Sequence, residues 1–571
     1  MARSSLGGGP RNADSRVFAL LRAVGVLAGL AFVFVALSYS GYIGFTDLDG
    51  PEVSVAPSTF TVEETGRTVR YGRSGLTRNG QIWQMHLEGS PIEIGDAHGR
   101  LASRLFGELD ASMQGFIENR YGSPVEQWTA SMLLRWDYRA ADEFLDEERR
   151  EELAALAAAV PEAGGDRMSA YQRLFLYQCM HGLAQRLEDV VLEGSMFAAS
   201  TKRPGSSERG NLVIGRTLSV DTDGELDVAP IVTVVRPDGR YPYVSVGWAG
   251  LVGVVTGVNA RGIFVSVNAA RADEPLDDGA PLPLVLRSVL ERADTLEAAA
   301  AMLQEAKLRT SAVVLVGDGV QRKSMVLELA ARGREDRRTG RGEDDAVVWA
   351  TNHMLKEAFE GDLQNDWVRR YTSSGYRYDR LEELLTAGGP IDPQRAADVL
   401  RDRRGLGGSV LGLGNRNALE NLAITHSVIV DATAMVLWVA EGPSALGRFQ
   451  AFDLRAMLGR ERGPAAPLDD LAPDPLLYSE SYRDYQEAVS LVKHARALLT
   501  EGYPGRALWS AKVALALAPD VGDLHRLLGD IERELGHDAD AVAHYTRYLE
   551  LIPGRRRDQV RVEGIIAELS G

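Results

Sequence analysis

Glu193-Gly194-Ser195-Met196-Phe197-Ala198-Ala199 marks the point where the texture of this 571-residue chain changes. Upstream, apolar residues recur at helical spacing over Ile92 to Asn119, Leu133 to Ala159 and Ala170 to Glu188, after a strand-like stretch from Val53 to Glu88. Downstream, from Gly210, short β-rich runs follow one another: Leu212 to Leu218, Ile231 to Val235, Tyr241 to Trp248, Gly250 to Thr256 and Gly262 to Asn268. Two helices are predicted at Leu282 to Ala293 and Thr295 to Ala306, the second with Asp294 as its N-cap. Strands resume at Ala312 to Val316, Ser324 to Leu329, Val347 to Thr351, His426 to Val430 and Ala434 to Ala440. Many strands broken by blocks of helix predict a layered α+β domain with two stacked sheets between helical layers.

The junction itself has one chemical reading worth weighing. A serine hydroxyl is a weak nucleophile at neutral pH unless a base takes its proton, and an α-amino group on the same residue can be that base. Ser195 would have to become a chain terminus by cleavage after Gly194. Most Gly-Ser pairs are simply turns, so the pair alone decides nothing. Gly194-Ser195 also lacks the flanking glycines, two positions away on either side, that a nucleophile elbow needs.

The surrounding text adds an ordered series: Gly95-Asp96-Ala97-His98-Gly99, Leu212-Val213-Ile214-Gly215-Arg216, Gly247-Trp248-Ala249-Gly250-Leu251-Val252-Gly253, Thr256 to Gly262, Val267-Asn268-Ala269 and Ala350-Thr351-Asn352-His353. In this order they resemble the acyl-coenzyme A:6-aminopenicillanic acid acyltransferase-like family of N-terminal-nucleophile hydrolases, from about residue 88 to about residue 445. The resemblance implies a four-layer αββα sandwich, made as a precursor and cut before a Cys that becomes the nucleophile. It implies a linear amide or thioester acyl substrate, handled by hydrolysis or acyl transfer without metal or organic cofactor.

Carried over by position, the resemblance assigns Ser195 as nucleophile, Arg216 as the group orienting the substrate, and Asn268 and Asn352 as donors to the oxyanion. Two departures stand out. Ser195 replaces Cys, and setting Phe197 on the family's phenylalanine moves the nucleophile's place to Gly194. The family's acidic residue after the arginine is Ser219 here, or is displaced to Asp221. A self-processing enzyme and a catalytically silent scaffold both stay open on this text.

Other features bound the function. A net charge of −17, with 45% hydrophobic and 25% charged residues, describes folded domains and argues against nucleic acid as a partner. One cysteine, Cys179, cannot form an internal disulfide, and its apolar setting suits a buried small hydrophobe. His98, His353 and His426 have no metal-ligand neighbour at useful spacing and are expected to be structural. Gly405 to Asn415 lacks the Lys-Ser/Thr of a phosphate loop and is expected to be a flexible loop, and Arg332 to Asp345 a solvated one.

At the ends, Ala23 to Phe45 carries no charge and follows Arg3, Arg11, Arg16 and Arg22, which predicts a transmembrane anchor over 23–45. Residues 1–22 would then be cytoplasmic, and the bulk of the chain would lie on the periplasmic or extracellular side. The hydrolase-like domain is expected over 46–463, with 46–194 as its propeptide or small subunit, and a linker over 464–482. In 483–571 the pairs Pro519/Pro553, Gly502/Gly536, Ala507/Ala541 and Ala495/Gly529 are each 34 residues apart. This period resembles the tetratricopeptide repeat, and a protein partner on that tail is one expectation.

Overall fold

The computed structural model describes residues 33–571 except 55–62, 122, 161–167, 180–191, 202–209, 221–229, 274–278, 331–333, 339–346, 460–467 and 553–558. After a helix over 33–46 come four strands, β1 (Glu63–Thr65), β2 (Thr68–Tyr71), β3 (Ser74–Asn79) and β4 (Ile82–Gly89), then four helices, α1 (Pro91–Arg120), α2 (Pro124–Tyr138), α3 (Glu147–Ala159) and α4 (Ala170–Gln178). Next are β5 (Leu192–Ser200), β6 (Leu212–Val220), β7 (Ile231–Pro237), β8 (Tyr243–Gly247), β9 (Thr256–Asn259) and β10 (Ile263–Ala269). Helices α5 (Leu282–Arg292) and α6 (Leu296–Glu305) lead to β11 (Ala312–Asp318), β12 (Lys323–Leu329), β13 (Arg334–Arg338) and β14 (Val347–Ala350).

Helices α7 (Leu363–Tyr371), α8 (Ser374–Thr386) and α9 (Pro393–Leu400) precede β15 (His426–Asp431), β16 (Val436–Ala440) and β17 (Phe449–Asp453), and α10 (Leu454–Leu458) ends the body. The tail is all helical: α11 (Glu480–Thr500), α12 (Pro504–Leu517), α13 (Gly522–Glu534), α14 (Asp538–Leu551) and α15 (Gln559–Ser570).

The strands form two sheets, ordered β1-β2-β3-β4-β7-β8-β9-β10-β11-β12-β13 and β14-β5-β6-β15-β16-β17. Side chains alternate across a strand, so the cores sort by parity. In β11, Val314 and Val316 join the apolar core beneath α1, α3, α5 and α6, while Val313 and Leu315 join the core between the sheets. In β5, Met196 and Ala198 face that inter-sheet core, while Phe197 and Ala199 face a third core under α8 and α9. Three stacked cores between four layers make the body an αββα sandwich.

Several local expectations shift. Thr295, not Asp294, caps α6, its hydroxyl accepting from the Ala298 N–H. Part of the stretch expected as a solvated loop, Arg334–Arg338, pairs with β12 as an edge strand. The glycine-rich loop is a seat for the tail: an ideal Cβ on Gly412 would lie 1.7 Å from the Asp520 carbonyl oxygen, and Asn415 donates to the Leu551 carbonyl at 2.6 Å. In the tail, α12 and α14 start 34 residues apart, each after a glycine with positive φ, Gly502 and Gly536, and each buries the matching alanine, Ala507 and Ala541. The second helices of the two hairpins thus start 34 residues apart, while the first, α11 and α13, do not.

The expectation of a membrane anchor is corrected. Among the described residues no helix is long and apolar enough to cross a membrane, which overturns the single-pass placement. The first ten residues of the predicted span, 23–32, lie outside the described residues; its remainder belongs to a helix over 33–46. Its end packs on α2 instead, through Tyr42 stacked on Trp136 and Tyr39 against Trp128, with the Tyr42 hydroxyl donating to the Met132 carbonyl.

Candidate active site

β5 runs against β6 without a bulge, from Leu192 opposite Val220 to Ser200 opposite Leu212. Unbroken pairing fixes which way each side chain points. Gly194 therefore shares the inter-sheet face with Met196, and across the ladder with Arg216 and Val428, which are paired in turn. Ser195 shares the opposite face with Phe197 and Thr217, beneath α8.

On the inter-sheet face, Arg216 is fully buried. Its guanidinium donates to the Thr256 hydroxyl and the Val267 carbonyl and meets His426 Nε2 at 2.8 Å. Burial lowers its pKa to about 9, and among the described residues no carboxylate compensates it. Asp221, a candidate partner from the sequence, lies outside the described residues, and the Ser219 hydroxyl donates to the Ala423 carbonyl instead.

Asn268 extends from β10 into the same space. Its Nδ2 donates to the Thr351 carbonyl at 3.1 Å, which fixes the amide's orientation, and its Oδ1 is buried without a partner among the described residues. That oxygen faces Gly194: an ideal Cβ there would lie 2.0 Å from it. Asn352 spans the sheets too, its Nδ2 donating to the Ala269 carbonyl and its Oδ1 accepting from the Gly194 N–H, both at 2.9 Å. Both asparagines hold the two sheets together with donors that an oxyanion would otherwise claim.

On the other face, Ser195 is 1% exposed. Arg377 of α8 donates from one nitrogen to the Ser195 hydroxyl (2.8 Å) and the Gly194 carbonyl (2.7 Å), and from the other to Asn352 Oδ1 (2.9 Å). Its Nε reaches the Ser373 hydroxyl, which in turn donates to Glu193 at 2.6 Å. Burial holds the Arg377 guanidinium below the usual arginine range, with Glu193 pulling the other way. Thus Gly194, Arg216, Asn268 and Asn352 come together, while the hydroxyl of Ser195 stays across the sheet from Arg216 and Asn268.

Sequence reasoning did not single out Arg377, Thr256 or Glu193. Arg377 had a signal: it opens the stripe Arg377, Leu381, Leu385 at four-residue spacing, a charge on an apolar helix face, and all three are buried. His426 and His98 are buried; His426 meets Arg216, and His98 accepts from the Gly250 N–H at 3.1 Å. His353 contacts Ser374 through Nδ1 at 2.8 Å. Burial pushes the Cys179 thiol far up, which makes it inert.

One curated relative, an uncharacterized protein of Archaeoglobus fulgidus, is 26% identical over 350 residues, covering 55% of this chain and 57% of its own length. The chain thus matches little more than half of that relative. Solved structures with a similar trace include a Caenorhabditis elegans N-acylethanolamine-hydrolyzing acid amidase ortholog, 17% identical, covering 42% of this chain and 93% of its own, with a TM-score of 0.31. A conjugated bile acid hydrolase variant from Clostridium perfringens is 11% identical, covering 47% and 87%, with a TM-score of 0.24. Residues 210–417, which carry Arg216, Asn268, Asn352 and Arg377, match the model of the acyl-coenzyme A:6-aminopenicillanic acid acyl-transferase family.

Proposed function

We propose that this chain keeps the acyl-transferase architecture as a catalytically silent scaffold: it stays uncut between Gly194 and Ser195, and its body is a rigid support for the helical tail. One observation carries this reading. The side chain in position to work with Arg216 and Asn268 belongs to residue 194, which is glycine, and Asn268 Oδ1 occupies the space a nucleophile would need. A hydroxyl on the far face cannot share a tetrahedral intermediate with Asn268, because an oxyanion donor works only at about 3 Å from the developing charge. The seat formed by Gly412 and Asn415 against the tail supports the scaffold role, with a protein partner at the exposed helical repeats.

A second reading, self-processing followed by hydrolysis of a small acyl amide or thioester, is favoured by Arg377. The guanidinium that touches both the Gly194 carbonyl and the Ser195 hydroxyl would stabilise charge on that carbonyl oxygen during an N-to-O acyl shift. In that step the hydroxyl oxygen bonds to the carbonyl carbon, the C–N bond breaks, and the hydroxyl proton passes to the departing nitrogen. Water then cleaves the ester and leaves Ser195 as a terminus.

An acylating probe separates the two. Incubation with a reactive β-lactone or p-nitrophenyl ester should leave no adduct that depends on Ser195. A stoichiometric adduct lost in Ser195→Ala would favour the second reading.

A further inference from the structure

At the end of the sandwich opposite Gly194, three turns meet around a cleft of about 520 Å³. They are the β9–β10 turn, the β11–β12 turn over 319–322 and the β15–β16 turn over 432–435, closed on one side by α10. The turns lock together: Gly319 N–H donates to the Gly262 carbonyl at 3.0 Å, and an ideal Cβ on Gly319 would lie 2.0 Å from the Ala432 carbonyl oxygen. Along β10, Ile263 at this end is roughly 17 Å from Asn268, so the cleft is separate from the site above.

Its lining is chemically uneven. Arg261, Arg322 and Arg455 contribute to the wall and, among the described residues, no Asp or Glu does, in a chain whose net charge is −17. Arg261 lies over the Tyr241 ring and Arg455 donates to the Thr433 carbonyl at 3.1 Å; among the described residues neither forms an ion pair. Two guanidiniums are thus positioned by neutral groups with their charge unmatched. Leu454 and Leu458 are buried beneath, while Val320 and Met435 stand at the rim.

The turns themselves point the same way. Arg322 and Met435 hold φ of 60° and 59°, and each ends a four-residue hairpin turn at the left-handed position where glycine would fit without strain. Both strained positions carry long side chains, and both line the cleft.

We propose that this cleft binds an amphipathic anion, a single carboxylate or phosphate head group paired with the arginines and an alkyl chain lying on Leu454, Leu458 and Met435. The volume suits a small ligand, and guanidinium recognises either head group. The inference does not depend on whether Ser195 is active.

Titration calorimetry on the full chain tests it with decanoate, decyl phosphate and decanol. At least one of the two anions should bind with one-to-one stoichiometry, decanol at least about tenfold more weakly, and their relative affinity identifies the head group. The double variant Arg261→Gln/Arg455→Gln, with an unchanged melting temperature, should weaken that anion by about tenfold or more. Val320→Glu, at a residue 78% exposed, should weaken it without touching the fold. Decanol binding as tightly as the anions, affinity unchanged in both variants, or no binding of either anion would overturn the proposal.

Discussion

Gly194 and Ser195 are adjacent, yet the pleat sends their side-chain directions to different layers, and that difference governs the chemistry available. Gly194→Ala should destabilise the fold by about 1–3 kcal/mol, because the new methyl meets a buried amide in close-packed surroundings. Chemical denaturation would read the loss; an unchanged midpoint would mean that Asn268 is free to swing away. Arg377→Met leaves the Gly194 carbonyl and Asn352 Oδ1 each short of a buried donor and should cost about 3 kcal/mol by the same measurement.

His98 supplies a pH signature. Burial, then the nearby Arg287, lower its folded pKa from 6.5 to about 4. A base depressed on folding contributes stability that is complete above pH 6.5 and is lost as pH falls through 6.5 towards 4, here up to about 3 kcal/mol. His98→Gln, which can still accept from the Gly250 N–H, should flatten that acid limb in urea titrations. At this scale the sequence exposed the conflict between Phe197 and Ser195 but could not resolve it, since register depends on β6. The stripe that Arg377 opens was legible, but its role was not, because Gly194 and Ser195 lie about 180 residues away in β5.

Among elements, the strands were easiest to foresee: β6, β10, β11, β15 and β16 fall close to their expected runs, because turn residues bound short β-branched stretches. Helical layers were expected on both sides, but helices α7 to α9, the ones that cover Ser195, were not placed from the sequence. The apolar run before residue 46 also misled. Hydropathy registers its lack of charge, whereas Tyr39 and Tyr42 are matched to Trp128 and Trp136 on α2, a partner that composition does not reveal. The glycine loop was taken as flexible because glycine there answers to the close approach of another segment. Gly412→Ala should lever the tail from that seat, seen as faster hydrogen exchange in α13 at unchanged exchange in β11.

At the scale of the molecule, two sheets between helical layers were expected and are present, since alternating burial on both faces of β5 and β11 demands a layer on each side. What the whole assembly does turns on whether β5 stays continuous through Gly194. Intact mass spectrometry of the purified full chain after prolonged incubation at neutral pH tests this most directly. The scaffold reading predicts one species at the uncut mass, identical in wild type and Ser195→Ala apart from the substituted oxygen. Two fragments, the larger beginning at Ser195 and absent from Ser195→Ala, would contradict it.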